Sequence, residues 1–140
     1  MSKIVVIYWS GTGNTEEMAN AIAEGGKLAG ADVSLMEASA FSEDKIPEFD
    51  AFAFGCPAMG NEVLEDSEFE PMFEACETKL GNKPVVIFGS YGWGDGEWMR
   101  EWEARCKNQN INLIAEGLMC QGSPDDECLE ACRNLGKQIS

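Results

Sequence analysis

Apolar positions along the chain follow two rhythms. Ile4-Val5-Val6-Ile7-Tyr8, Ala51-Phe52-Ala53-Phe54 and Val85-Val86-Ile87-Phe88 are unbroken apolar runs. Such runs suit strands covered on both faces of a parallel sheet. Met18, Ala19, Ile22, Ala23 and Leu28 instead recur every third or fourth residue, the helical spacing. The pattern predicts a strand over 3–8, a helix over 14–29 stopped near Gly30, and a second strand around Val33 and Leu35. A polar connection over 39–49 follows, anchored by Ile46, Pro47 and Phe49, then a third strand over 50–55. Ser67 and Glu70 have capping-box spacing for a helix reaching about Lys79, with Pro71 in its first turn. A fourth strand is predicted over 84–89. Asp95 is placed to cap a helix carrying Trp98, Trp102 and Arg105 to about residue 108. A fifth strand near Leu113–Cys120 bends at Gly117. Ser123-Pro124-Asp125-Asp126-Glu127 then reads as the start of a last helix, with a cap, a first-turn proline and acids at the positive end.

This alternation predicts an α/β fold: one doubly wound, five-stranded parallel sheet with helices on both faces, over residues 1–140 as a single domain. Right-handed crossovers bring the loops after strands 1, 3 and 4 to one edge of the sheet. With strand order 2-1-3-4-5, ligands enter the crevice between strands 1 and 3.

The chemistry of those loops differs. The first, Ser10-Gly11-Thr12-Gly13-Asn14-Thr15, offers hydroxyls, an amide and flexible backbone, with no Lys or Arg. Backbone N–H groups and a helix N-terminus can wrap a phosphate there. The triphosphatase pattern needs a lysine that is missing, and the dinucleotide pattern needs a third glycine where Glu16 stands. A phosphate held without cations suits a cofactor bound whole. The second loop, Cys56-Pro57-Ala58-Met59-Gly60-Asn61-Glu62, brings Met59; the third, Ser90-Tyr91-Gly92-Trp93-Gly94, brings an indole between glycines. Met and Trp on facing loops suit a flat aromatic ring. An aromatic head with a phosphate tail outlines a mononucleotide. Trp98 and Trp102, four apart on one helix, read as packing.

Composition narrows the field. The 140 residues are 44 % hydrophobic, enough for a core, and no run is long enough to cross a membrane. The first residues lack a basic segment followed by an apolar one, so the expected location is the cytoplasm. Twenty-five acids against 10 bases give a net charge of −15, which disfavours nucleic acid and anionic membranes and favours basic protein partners. No histidine is present, so imidazole catalysis and imidazole metal ligation are excluded. The six cysteines, Cys56, Cys76, Cys106, Cys120, Cys128 and Cys132, are expected as buried, reduced thiols; a metal or redox pair is the alternative.

Tyr8-Trp9-Ser10-Gly11-Thr12-Gly13-Asn14-Thr15, Gly55-Cys56-Pro57-Ala58-Met59-Gly60 and Gly89-Ser90-Tyr91-Gly92-Trp93-Gly94 together resemble the short-chain flavodoxins, over essentially the whole chain. The resemblance implies noncovalent FMN, order 2-1-3-4-5, and a low-potential one-electron carrier that is not a substrate-turning enzyme. Such a carrier cycles between neutral semiquinone and hydroquinone and is a monomer serving redox enzymes that otherwise use ferredoxin. It also implies that Ser10, Thr12, Asn14, Thr15 and the backbone of Gly11 and Gly13 bind the phosphate. Met59 and Trp93 would flank the isoalloxazine ring, with Gly60 and Asn61 beside N5 and Glu62 near N3. Backbone at Gly92 and Gly94 would serve the pyrimidine edge, with Pro57, Ala58, Ser90 and Tyr91 completing the site; no residue is assigned to a metal. Relatives often carry a hydroxyl where this chain has Pro57 and an acid where it has Asn61. The competing enzyme reading is a flavodoxin-like NAD(P)H quinone reductase, which needs room over the flavin. A phosphorylation-controlled signalling domain would need acids at Trp9-Ser10 and an aspartate near Cys56-Pro57.

The Gly60-Asn61 peptide invites a further expectation. Flavin N5 accepts a hydrogen bond when oxidised and carries a proton when half reduced. A peptide flip there could exchange an N–H for a C=O, since glycine and asparagine tolerate positive φ.

Overall fold

The computed structural model describes residues 2–60 and 62–140. The elements run β1 (Lys3–Tyr8), α1 (Asn14–Leu28), β2 (Asp32–Glu37), β3 (Ala51–Gly55), α2 (Phe69–Cys76), β4 (Pro84–Tyr91), α3 (Glu97–Asn108), β5 (Asn112–Leu113), β6 (Leu118–Gln121) and α4 (Asp126–Gln138). Two short 3-10 segments, Ala38–Ala40 and Glu43–Glu48, fill the connection after β2. All strand pairs are parallel, in the order β2-β1-β3-β4-β5, with β6 also pairing β4.

Alternation along the strands sends side chains to two cores. Val5, Ile7, Phe52 and Phe54 join Phe69, Phe73, Trp98 and Trp102 beneath α2 and α3. Ile4, Val6, Ala51, Ala53, Val86 and Phe88 join Met18, Ile22, Cys132 and Leu135 beneath α1 and α4. Helices α1 and α4 meet backbone to backbone: a Cβ on Gly25 would collide with the Arg133 carbonyl, and one on Gly136 with the Ile22 carbonyl. Across the sheet, Arg105 forks onto Glu70 and Glu77 at 2.7–2.9 Å and lies 5.0 Å over the Phe73 ring, clamping α3 to α2.

Several sequence expectations are corrected. Ser67 does not cap α2, which starts two residues later and ends at Cys76, short of Lys79. The capping groups are the Glu65 carboxylate oxygens: Oε1 accepts from the backbone N–H of Glu68 and of Phe69, each at 2.8 Å. A charged acceptor makes the stronger bond, and the Ser67 hydroxyl itself bonds Glu65. Asp95 does not cap α3: its carboxylate holds Arg100 at 3.0 Å, and Gly96 occupies the N-cap. In α4 the cap is Asp125, accepting from Cys128 N–H at 2.8 Å, and Pro124 lies before the helix. Pro47 is exposed, and Ile46 and Phe49 anchor their segment together with Phe41.

The fifth strand is not one bent strand but two pieces. The Gly117 N–H goes to the Glu103 carboxylate at 2.7 Å, while the sheet pairings of β5 and β6 fall on either side of it. The cysteines also depart from the expectation of six reduced thiols: Cys120 of β6 and Cys128 of α4 form a disulfide, with Cα atoms 6.1 Å apart. The turn between β6 and α4 folds the two positions together. Cys56, Cys76, Cys106 and Cys132 are free and buried.

Candidate cofactor site

The carboxyl ends of β1, β3 and β4 open onto a cleft of about 260 Å³. Trp9, Gly11, Thr12 and Asn14 line it from the first loop, Pro57, Ala58 and Met59 from the second, and Ser90, Tyr91 and Gly92 from the third. Gly122, after β6, completes the lining. No Lys or Arg is among these residues.

The first loop is braced internally. Ser10 Oγ accepts from Gly13 N–H at 3.1 Å and Glu16 N–H at 3.3 Å. Gly13 takes φ 98°, in the left-handed region, at the N-cap of α1. Thr12 is exposed and Asn14 half-buried at the cleft. Thr15 is 1 % exposed, and its hydroxyl shares a 2.9 Å hydrogen bond with Ser90 Oγ, tying α1 to β4. The Tyr8 hydroxyl donates to Glu16 at 2.9 Å; burial and this acceptor push its pKa up to about 12.

The second loop hangs on main-chain bonds to its neighbours. Cys56 N–H donates to the Phe88 carbonyl, Ala58 N–H to the Ser90 carbonyl, and Trp98 Nε1 to the Cys56 carbonyl, at 3.0–3.2 Å. Burial pushes the Cys56 thiol up to about 12, which favours its protonated form. A turn closes from Glu62 N–H to the Met59 carbonyl at 2.8 Å. Gly60 is exposed in this turn, its φ is not positive, and a Cβ there would meet nothing within 4 Å. Asn61 lies outside the described residues. Glu62 takes φ 55°, the left-handed region that non-glycine residues seldom occupy.

Glu62 is also 8 % exposed, and its Oε1 has no hydrogen-bond partner among the described residues. An unpaired acceptor at this depth is costly unless a donor arrives. The carboxylate packs against the backbone of Gly94, which takes φ 86°; a Cβ there would collide with Oε1. Trp93 stands 64 % exposed beside Gly92 and does not line the cleft, and Trp98 is buried in the core. Ser10, Gly13, Thr15, Gly60, Trp93 and Gly94 do not line this cleft, and Glu62 lines a separate hollow with Val63, Leu64, Trp98 and Trp102.

Sequence reasoning missed Trp9 and Gly122 as cleft residues. Trp9 follows the apolar run of β1 directly and so had to emerge at this edge. Gly122 is held by its N–H to the Tyr91 carbonyl at 2.8 Å, a long-range contact with no local signal.

The sequence profile described as Flavodoxin matches residues 6–136. A flavodoxin of Clostridium beijerinckii is 46 % identical over 135 residues, covering 96 % of this chain and 97 % of that protein. A flavodoxin of Megasphaera elsdenii is 43 % identical and covers 96 % of each chain. This chain belongs to the flavodoxin family. The solution structure of two-electron reduced Megasphaera elsdenii flavodoxin superposes with a TM-score of 0.83 over 96 % of this chain and 98 % of that one. As a flavodoxin, the chain is an FMN flavoprotein of electron transport. The cleft fits that cofactor: hydroxyl, amide and backbone donors at the end of α1 suit a phosphate, and the orphaned Glu62 carboxylate suits the imide N–H of a flavin ring.

Proposed function

We propose that the chain carries single electrons at low potential between redox enzymes, as a monomer in which residues 1–140 act as one FMN-binding unit. Bound FMN supplies reversible one-electron chemistry. Thr12 and Asn14, with the backbone N–H groups of the first loop, would hold the phosphate, while Ser10 and Thr15 fix the loop's shape through their own hydrogen bonds. Met59 would cover one ring face and Trp93 the other, excluding water. Glu62 would accept the ring's imide proton, and backbone at Gly92 and Gly94 would border the same edge. The finer reading is that the protein works between the one-electron-reduced and fully reduced forms. Basic surfaces on the partners would be drawn to the net charge of −15.

The observation that carries this reading is the convergence of three loops on a cleft lined by no Lys or Arg. The test is to mix the FMN-loaded protein with NADH or NADPH without oxygen. The flavin is expected to stay oxidised until a reductase is added, and then to pass electrons to a basic haem protein. Rapid bleaching by the nicotinamide alone would overturn the carrier reading in favour of a quinone reductase.

A further inference from the structure

Three cysteines gather where β6 meets α4, none of them lining the cofactor cleft. Cys120 comes from β6; Cys128 and Cys132 come from successive turns of α4. Their sulfurs all lie within 4.8 Å of one another. Cys120 and Cys128 are joined as a disulfide, and Cys132 is a free thiol, fully buried beside them. The disulfide accounts for two of these sulfurs; the third, one turn further along α4, puts a free thiol against the pair.

The arrangement has the parts of a thiolate metal site. A zinc-type ion with bonds of about 2.3 Å holds its sulfurs about 3.8 Å apart, so side-chain shifts of an ångström or so suffice. A hollow of about 480 Å³ opens on Cys120 and Cys128, giving a cation a route inward. Ser123, Asp125 and Glu127 line the same hollow and offer oxygen, directly or through water, for a remaining position. Cys128 lies in the first turn of α4, where the positive helix end favours a thiolate.

We propose that, with the disulfide reduced, Cys120, Cys128 and Cys132 form a three-thiolate site for a thiophilic divalent cation of the zinc type, its fourth position facing the hollow. The reducing step needs an external dithiol. The S–S bond breaks, two electrons and two protons pass to the cysteines, and the dithiol becomes its own disulfide. The cation then displaces three protons and forms three metal–sulfur bonds. Disulfide and metal exclude each other, so the oxidation state of the Cys120–Cys128 pair gates the site. Acidic pH weakens binding because protons compete for the sulfurs.

The experiment uses FMN-loaded full-length protein in two forms, untreated and reduced with a dithiol that is then removed without oxygen. Each is dialysed against zinc in excess magnesium, which saturates the surface carboxylates. Bound zinc is measured, and each cysteine's alkylation is followed by mass spectrometry. Stoichiometric zinc is expected on the reduced protein alone, with Cys120, Cys128 and Cys132 protected and the alkylation of Cys56, Cys76 and Cys106 unchanged. Cys132→Ser is expected to weaken binding about tenfold or more, as loss of a metal ligand does. The flavin spectrum reports whether the variant is folded; if it is not, Cys128→Ser, at a half-buried position, makes the same test. Equal zinc on both forms, no zinc on either, or unchanged affinity in a folded variant would overturn the proposal.

Discussion

Glu62 joins a local cost in the fold to a role toward the cofactor. Its left-handed backbone and unpaired buried oxygen both disfavour it until a donor arrives. Replacing it by alanine is expected to weaken FMN binding roughly ten- to a hundredfold, the scale of about 1.5–3 kcal/mol for a hydrogen bond to a charged group, with little loss of stability in the cofactor-free protein. Quenching of flavin fluorescence measures this; unchanged affinity would remove Glu62 from the site. Glu65 has the opposite balance. Burial opposes its charge, but hydrogen bonds from Ser67 and from the backbone of Phe69, Glu68 and Ser67 together hold its carboxyl below the ordinary value. Its pKa is therefore lower folded than unfolded. The stability it contributes is full above about pH 4.3 and drains away as pH falls through the folded value. Glu65→Gln is expected to be less stable than the parent at neutral pH by about 1–3 kcal/mol, with the gap closing in acid. Urea midpoints at two pH values check it, and a gap that widens in acid would contradict the assignment. The family resemblance named Glu62 for the flavin edge, but neither its left-handed backbone nor the Glu65 cap was legible in the sequence. Glu65 acts from before its helix, where Ser67 offered a nearer cap, and Glu62 is defined by a loop that meets it from β4.

Among the elements, β1, β3, β4 and α1 were legible because their patterns are local: unbroken apolar runs and a clean helical stripe. The fifth strand was not, because the break at Gly117 depends on a carboxylate from α3. The Cys120–Cys128 pairing depends likewise on how β6 meets α4. In the first loop the residue types pointed to phosphate, but the division of labour did not show. Ser10 and Thr15 spend their hydroxyls within the protein, leaving Thr12, Asn14 and backbone N–H groups for a ligand. Riboflavin, lacking the phosphate, is therefore expected to bind far more weakly than FMN, since each stranded donor costs about 1–3 kcal/mol and several are involved. Equal quenching constants for the two ligands would take this role from the loop. The Gly60 turn qualifies the expected peptide flip. Its φ is not positive and its Cβ position is open, so this conformer gives no reason for alanine to be strained there.

At the scale of the whole molecule, charge dominates. Twenty-five acids against 10 bases surround a cleft with no lining cation. Adding electrons to a ring in that field is disfavoured, and the screened part of the penalty should fall with ionic strength. Electron transfer to a basic partner is accordingly expected to slow as salt rises, in stopped-flow traces, while the lower reduction potential rises modestly; a rate indifferent to salt would contradict electrostatic steering. The carrier account stands or falls on how reduction divides into steps. The decisive measurement is a potentiometric titration of the FMN-loaded protein followed by absorbance. The account predicts two resolved one-electron steps, with a one-electron-reduced flavin accumulating between them and the second step below that of free FMN. A single two-electron bleaching at the potential of free FMN would contradict it.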